Sequence, residues 1–357
     1  MSNEVLAGAD FYRLAMSPED RERLPRYRHL LDALALSPVA NQLLDATPPV
    51  QRNPMLVLAA LHFNALVGEP TLTPLYEAIS EVEPEVLAQG VVDALERDPT
   101  LVSAHPYRRI QTNEPGRSAI LGQVLRALAL RGASDVHLID VGTSMGLNLY
   151  PDLYRTNSGV DDDLLNLEVL GLAGPLLDSP LPVIHQRVGI DLNPLDPQKR
   201  VDVEWLKACL WPEEPERRRR FETTLEAMTS WPPALRVRGS ASDVVDDVID
   251  SCPPDATPVV FHSWVAAHFS HADQVAWRET MIRHTSSRAV WAYFEYPPAV
   301  KGLDPPVAAT ASPRLGGSQI VVAEDARGQA SWGGRTRTVV GSRSVRRIDP
   351  FLGQASR

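Results

Sequence analysis

His137-Leu138-Ile139-Asp140-Val141-Gly142-Thr143-Ser144-Met145-Gly146-Leu147-Asn148 decides how this chain is read. An apolar strand runs into a turn with small residues at 142, 144 and 146, and a helix is expected to follow. Such a turn presents backbone N–H groups at the carboxyl end of a sheet, where open α/β folds bind ligands. Glycine serves there because it lets the backbone bend and approach a ligand closely. Three readings fit the stretch. One is a nucleoside-cofactor loop of the form D-x-G-x-G-x-G, with Ser144 in place of the middle glycine. The second is a nucleophile elbow, since Gly142-Thr143-Ser144-Met145-Gly146 also satisfies G-x-S-x-G. The third is a tight turn that binds nothing. The dinucleotide fingerprint G-x-G-x-x-G and the phosphate-binding G-x-x-x-x-G-K-[ST] are both absent from the stretch.

A second strand favours the cofactor loop. His185-Gln186-Arg187-Val188-Gly189-Ile190-Asp191-Leu192-Asn193-Pro194 sets an acid at a strand's carboxyl end. A carboxylate there can accept hydrogen bonds from both hydroxyls of a ribose, a group a hydrolase does not need. Leu192 joins Asp191 in the candidate set. Asp191 follows Asp140 by 51 residues, against about 20 from loop to acid in the usual arrangement. An insertion at about 150–182 accounts for the difference.

Further apolar runs continue the pattern: Val136–Val141, Val183–Ile190, Leu235–Val237, Val259–Phe261 and Ala289–Phe294, with helical stretches such as Ser118–Leu130, Val203–Thr229 and Ala272–His284 among them. Strands alternating with helices indicate a doubly wound, mostly parallel sheet. Ser318–Ala323 and Arg335–Val340 are expected to finish it as an antiparallel hairpin. Residues 1–105 show no strand pattern. Ser17-Pro18, Ser37-Pro38, Asn53-Pro54, Thr73-Pro74 and Glu83-Pro84 each read as a helix start. Two domains follow: an all-helical one over 1–105, expected to act as a lid, and an α/β one over 106–357.

Composition narrows the function classes. The 357 residues are 44% hydrophobic and 22% charged, ordinary globular usage, with a net charge of −10. That balance argues against a nucleic-acid partner. The basic run Arg217–Arg220 sits among Glu213, Glu214, Glu216 and Glu222 at spacings that suit i,i+4 pairing on a solvated helix. Two cysteines make no disulfide framework. The longest apolar run, Met55–Val67, is broken by His62 and Asn64 and falls short of a membrane span. The expectation is a cytoplasmic protein with a small-molecule substrate, without membrane or metal, and of undetermined oligomeric state.

Several ordered motifs resemble a bacterial family, domain of unknown function 2332. They are Gln111–Arg117 (QTNEPGR), Asp140–Leu149, Asp152-Leu153-Tyr154, Arg187–Asp196 and Trp205–Pro212. The resemblance spans about residues 20 to 340, and the family's pattern in turn is similar to the Rossmann-like fold of methyltransferases dependent on S-adenosylmethionine (SAM). The resemblance implies that Asp140, Gly142, Ser144 and Gly146 wrap the methionine part of SAM and that Asp191 takes the ribose. Arg238–Asp243 falls where such enzymes place an adenine-binding acid, with Ser240 at the expected position and Asp243 three residues late. His262, at the end of the fourth strand, is a candidate general base, and Arg117 a candidate partner for a ligand carboxylate. Glu295 and the aromatic residues Trp211, Trp264, Tyr293 and Tyr296 stand at element ends as further candidates. The implied function is a SAM-binding, methyltransferase-like enzyme acting on a small molecule, by methyl transfer or another SAM-consuming displacement such as intramolecular cyclisation of SAM. A serine hydrolase using Ser144 and a non-catalytic SAM-binding or structural protein are the alternatives.

Overall fold

The computed structural model describes residues 8–47, 52–105, 108–156, 166–167, 180–295, 319–323 and 332–335. Helices α1 (Gly8–Leu14), α2 (Pro18–Arg23), α3 (Pro25–Leu36), α4 (Pro38–Ala46), α5 (Pro54–Leu66), α6 (Leu72–Glu77), α7 (Pro84–Arg97) and α8 (Thr100–Ser103) come first. Then follow α9 (Arg117–Leu130), β1 (Asp135–Val141), the short strands β2 (Arg155–Thr156) and β3 (Asn166–Leu167), and β4 (Val183–Asp191). Helices α10 (Arg200–Ala208) and α11 (Pro215–Met228), β5 (Leu235–Arg238), α12 (Ala241–Asp250), β6 (Thr257–Ser263), α13 (His271–Thr285) and β7 (Val290–Glu295) complete the main body. The chain forms two compact units, one of Met1–Thr112 with Asp196–Arg219, the other of Asn113–Leu195 with Arg220–Arg357. The boundary read at residue 105 therefore sits a few residues later, and 196–219 joins the helical unit.

In the helical unit the caps work as the sequence suggests. The Ser17 side chain accepts from the Asp20 N–H and the Asn53 side chain from the Met55 N–H, each with proline opening the helix behind it. Thr73-Pro74 does not start its helix; α6 begins at Leu72, and Pro74 falls within its first turn, where a missing N–H costs nothing. The two polar residues inside the apolar α5 are both satisfied. His62 Nδ1 lies 3.1 Å from the Ala208 carbonyl, and Asn64 Nδ2 donates to Ala60 and Leu101. Burial pushes the His62 pKa down to about 4. Trp205, Ala208 and Cys209 pack with Ala59 and Phe63, which is how 196–219 becomes part of this core.

One helix was expected over Val203–Thr229; two form. Trp211-Pro212 lies between them and Pro215 opens the second, and proline disfavours the helical conformation of the residue before it. In the charged run, Arg217 pairs with Glu214 and Arg219 with Glu216, at i,i+3 spacing. Glu213 instead accepts the N–H groups of Arg26 and Tyr27 in the first turn of α3, where carboxylates favour the helix dipole.

The second unit is a sheet in the order β5-β4-β1-β6-β7, all parallel. On one face α9 supplies Ile120, Leu121, Val124, Leu125 and Leu128 against Leu138, Phe261 and Ala292. On the other, Val245 and Ile249 of α12 and Trp277 and Met281 of α13 cover Ile139, Val188, Val260 and Trp291. Each fully buried large apolar side chain here contributes about 1.5–3 kcal/mol. The hairpin expected over Ser318–Ala323 and Arg335–Val340 is not seen in that form. The pairs present join β8 (Gln319–Ala323) antiparallel to β7 and β9 (Trp332–Arg335) antiparallel to β8, and residues 336–340 lie outside the described residues.

Gly189 shows how tightly the sheet's upper end is packed. A Cβ placed there would lie 2.5 Å from Thr143 Cγ2 and 2.7 Å from its Oγ1. Gly189→Ala should therefore lose about 1–3 kcal/mol through overpacking, read by urea unfolding. An unchanged midpoint and slope would show that the turn after β1 yields freely.

Candidate functional site

The strand order reverses between β1 and β6: from β1 the chain proceeds outward to β4 and β5 on one side, and β6 and β7 lie on the other. In open parallel sheets the crevice at such a reversal, outside the carboxyl ends of the strands, is where ligands bind. The turn after β1 lies at this point. Gly142 and Gly146 have φ of 70° and 88°, and Ser144, without glycine's freedom, has 54°. A serine held in the left-handed region is strained, and such strain is kept where neighbours fix it.

Those neighbours are identifiable. The Ile190 carbonyl of β4 accepts the N–H of Gly142 at 2.8 Å and of Thr143 at 3.2 Å. Asp191 Oδ2 accepts the Ser144 N–H at 2.8 Å, and Oδ1 accepts the Asn193 N–H at 2.8 Å. The Leu195 N–H donates to the Ser144 carbonyl at 3.0 Å. Asn113 Oδ1 takes the Leu147 N–H at 3.0 Å, and the Ser118 hydroxyl bonds Asn148 Oδ1 at 3.2 Å. The helix expected after the turn is a single 3₁₀ turn, Leu147–Leu149. Pro151 lacks an N–H and disfavours helix at Tyr150, which ends the winding there.

Gly142 is a glycine for a reason internal to the protein. A Cβ at 142 would meet Val265 Cγ2 at 2.2 Å, so the side chain of Val265 occupies the space that the turn leaves.

On the α9 face of the sheet, Asp140 is buried, and its Oδ2 has no hydrogen-bond partner among the described residues. Burial pushes its carboxyl up to about 7; Asp191 adds to the rise, while the Thr143 hydroxyl and the Arg117 charge oppose it. Arg117 Nη1 donates to the Ser263 carbonyl and hydroxyl, both at 3.3 Å, and its guanidinium carbon lies 6.0 Å from the centre of the Trp264 ring. Trp264 is 43% exposed and has a φ of 58°, a second strained residue, at the end of the strand next to β1.

On the opposite face the side chains at the strand ends are buried. His262 is buried; its Nδ1 lies 2.7 Å from Glu295 Oε1, and the Trp277 Nε1–H approaches its Nε2 at 3.4 Å. The partners assign the proton to Nδ1, and both ring nitrogens are then engaged. The imidazole stacks on Tyr293 at 5.3 Å. This arrangement leaves no ring nitrogen to take a substrate proton.

The structure thus brings together Arg117, Asp140, Gly142, Ser144, Gly146 and Asp191, with Asn113 and Ser118 joined to the end of the turn by their hydrogen bonds to Leu147 and Asn148. Leu192 is exposed beside Asp191. Asp243 is exposed in the first turn of α12. Trp211 belongs to the helical unit, where the guanidinium groups of Arg23 and Arg217 lie over its ring. Tyr296 falls outside the described residues. Among those residues, no group of three or more His, Cys, Asp and Glu could hold a metal, and no helix is long and apolar enough to cross a membrane.

The pKa of Asp140 carries a measurable sign. A carboxyl raised from about 4 in the unfolded chain to about 7 when folded binds its proton more tightly in the native state, so its contribution to stability falls as pH rises through that window. Asp140→Asn removes the ionisation. Relative to this variant, the wild-type chain should lose stability between pH 5 and pH 8 in urea unfolding. A difference independent of pH would contradict the raised value.

The model of the family described as "Uncharacterized protein conserved in bacteria (DUF2332)" covers residues 9–332. No curated protein and no solved structure matches the chain. With nearly its whole length covered, the chain belongs to the bacterial family known as domain of unknown function 2332.

Proposed function

We propose that the carboxyl ends of β1, β4 and β6 bind SAM, and that the protein is a methyltransferase-like enzyme acting on a small molecule, by methyl transfer or another SAM-consuming displacement such as intramolecular cyclisation. On this reading the sheet is a doubly wound, Rossmann-like methyltransferase sheet, supported by its strand order and by helices on both faces. The observation that carries the proposal is that Asp140 sits near the end of β1 with a buried, unpartnered oxygen, while Arg117 reaches the end of the neighbouring β6 at Ser263. A buried carboxylate with an unpartnered oxygen suits an ammonium, and a guanidinium suits a carboxylate. The two charges together match the zwitterionic amino-acid end of SAM.

Other residues fit the group. Asp191 spends one hydrogen bond per oxygen on the backbone, and a carboxylate has about four acceptor positions, so acceptor capacity remains for a ribose. Leu192 offers apolar surface beside it, and Asp243 an acid for the adenine amino group. Bound SAM would supply a sulfonium-activated carbon, whose displacement gains from positioning and from exclusion of water. Trp264 has an aromatic face of the kind that stabilises a cation by about 0.5–2 kcal/mol. His262, with both ring nitrogens occupied, has a positioning role in this scheme.

Calorimetric titration with SAM and S-adenosylhomocysteine tests the reading. Saturable binding is expected, with Asp191→Ala weakening it by about 1–3 kcal/mol, roughly five- to 150-fold. No binding to the wild-type chain would refute the proposal; binding without turnover on any acceptor would favour the non-catalytic alternative.

A second reading has one observation in its favour. The φ of 54° at Ser144 is also what a nucleophile elbow requires. Against it, a 3₁₀ turn stands where the elbow's helix belongs, and His262, near the end of β6, has partners at both ring nitrogens. A fluorophosphonate probe should leave Ser144 unlabelled; stoichiometric labelling there would establish the hydrolase instead.

A further inference from the structure

Glu295 closes β7 and is 0% exposed. Its Oε1 is the acceptor for three donors: His262 Nδ1 at 2.7 Å, the Val265 N–H at 2.8 Å and the Ala266 N–H at 3.2 Å. Its Oε2 is buried with no hydrogen-bond partner among the described residues. A buried carboxylate is costly, and apolar replacements of buried charged groups are often neutral or stabilising. Core stability alone is a weak reason for a carboxylate here. What it accomplishes is geometric, because three donors from β6 and from the turn after it converge on one atom.

That turn contains Trp264, with its φ of 58°, whose N–H donates to the Phe294 carbonyl at 3.2 Å. Next to it is Val265, whose Cγ2 lies where a Cβ on Gly142 would have to go. Glu295 therefore fixes the Val265 backbone, and the Val265 side chain bears on the glycine that opens the turn after β1.

We propose that Glu295, held by His262, is a positioning residue of the site and acts through Val265 on the 142–146 turn. The path is contiguous: Glu295 Oε1, the Val265 N–H, the Val265 methyl groups, Gly142. It couples the end of β7 to a turn two strands away in the sheet, from the face opposite Asp140. The inference rests on the site reading for the identity of the ligand alone; the path itself lies in protein contacts.

Hydrogen–deuterium exchange on the full-length chain tests it, comparing wild type with Glu295→Gln, Glu295→Leu and Val265→Ala. Glu295→Leu removes the acceptor, and exchange is expected to quicken at least tenfold across 264–268 and across 142–146. Protection in the β1 core, 136–139, should stay as in wild type. Glu295→Gln keeps an oxygen facing the three donors and should restore slow exchange. Val265→Ala leaves every hydrogen bond intact and should quicken 142–146 alone, so it carries the test if Glu295→Leu fails to fold. Equal quickening of 136–139 in a folded Glu295→Leu chain, or a 142–146 turn indifferent to Val265→Ala, would reduce Glu295 to a core residue and overturn the proposal. SAM titration of the same variants separates the two ideas. If the wild-type chain binds no SAM while the exchange pattern holds, the ligand assignment fails and the positioning path stands.

Discussion

The turn from Gly142 to Leu147 cannot satisfy its own backbone, and the structure around it follows from that. Three consecutive N–H groups, of Gly142, Thr143 and Ser144, are taken by the end of β4, two by the Ile190 carbonyl and one by Asp191. The Leu147 N–H goes to Asn113, just before α9. Orphaned buried donors cost about 1–3 kcal/mol each, so the left-handed geometry at 142, 144 and 146 lasts only while these acceptors stay in place. Asp191 thus has a structural duty before any ligand arrives, and a ribose-binding role would be added to it.

Around this turn the two faces of the sheet are specialised. The α9 face carries Asp140, Arg117 and Ser263, charged and polar groups at the strand ends. The α13 face carries His262, Glu295, Trp277 and Tyr293, all buried and engaged with one another. On the proposed reading, one face would bind and the other support, the arrangement expected of a site whose geometry must be set before the ligand binds. The turn after β6 reaches from the second to the first, through Val265 against Gly142 and Trp264 beneath Arg117.

Much of this was legible in the sequence, and the remainder has physical reasons. The five parallel strands fall within a residue or two of their apolar runs; β1, β6 and β7 are legible because a strand buried on both faces is written as a near-continuous run. Asp140 and Asp191 were legible as strand-end acids. His262 was legible as a strand-end residue but not as a core one, since its partner Glu295 is 33 positions away and Trp277 is 15. Alternation along β6 sets it on the opposite face from Ser263, and that parity was a usable signal. The prolines at 212 and 215 likewise marked the break between α10 and α11. Nothing local announced that 196–219 would pack with the N-terminal helices, because that depends on Trp205 finding Phe63, far off in the chain.

The central claim is that the turn after β1, with Asp140, Arg117 and Asp191, is a ligand site for SAM. Its most direct measurement is hydrogen–deuterium exchange of the wild-type chain with and without saturating S-adenosylhomocysteine, resolved to short peptides. The account predicts slower exchange in 140–148, 189–193 and 263–266, with the cores of α12 and α13 unchanged. Exchange in those three segments that is identical with and without ligand would contradict it.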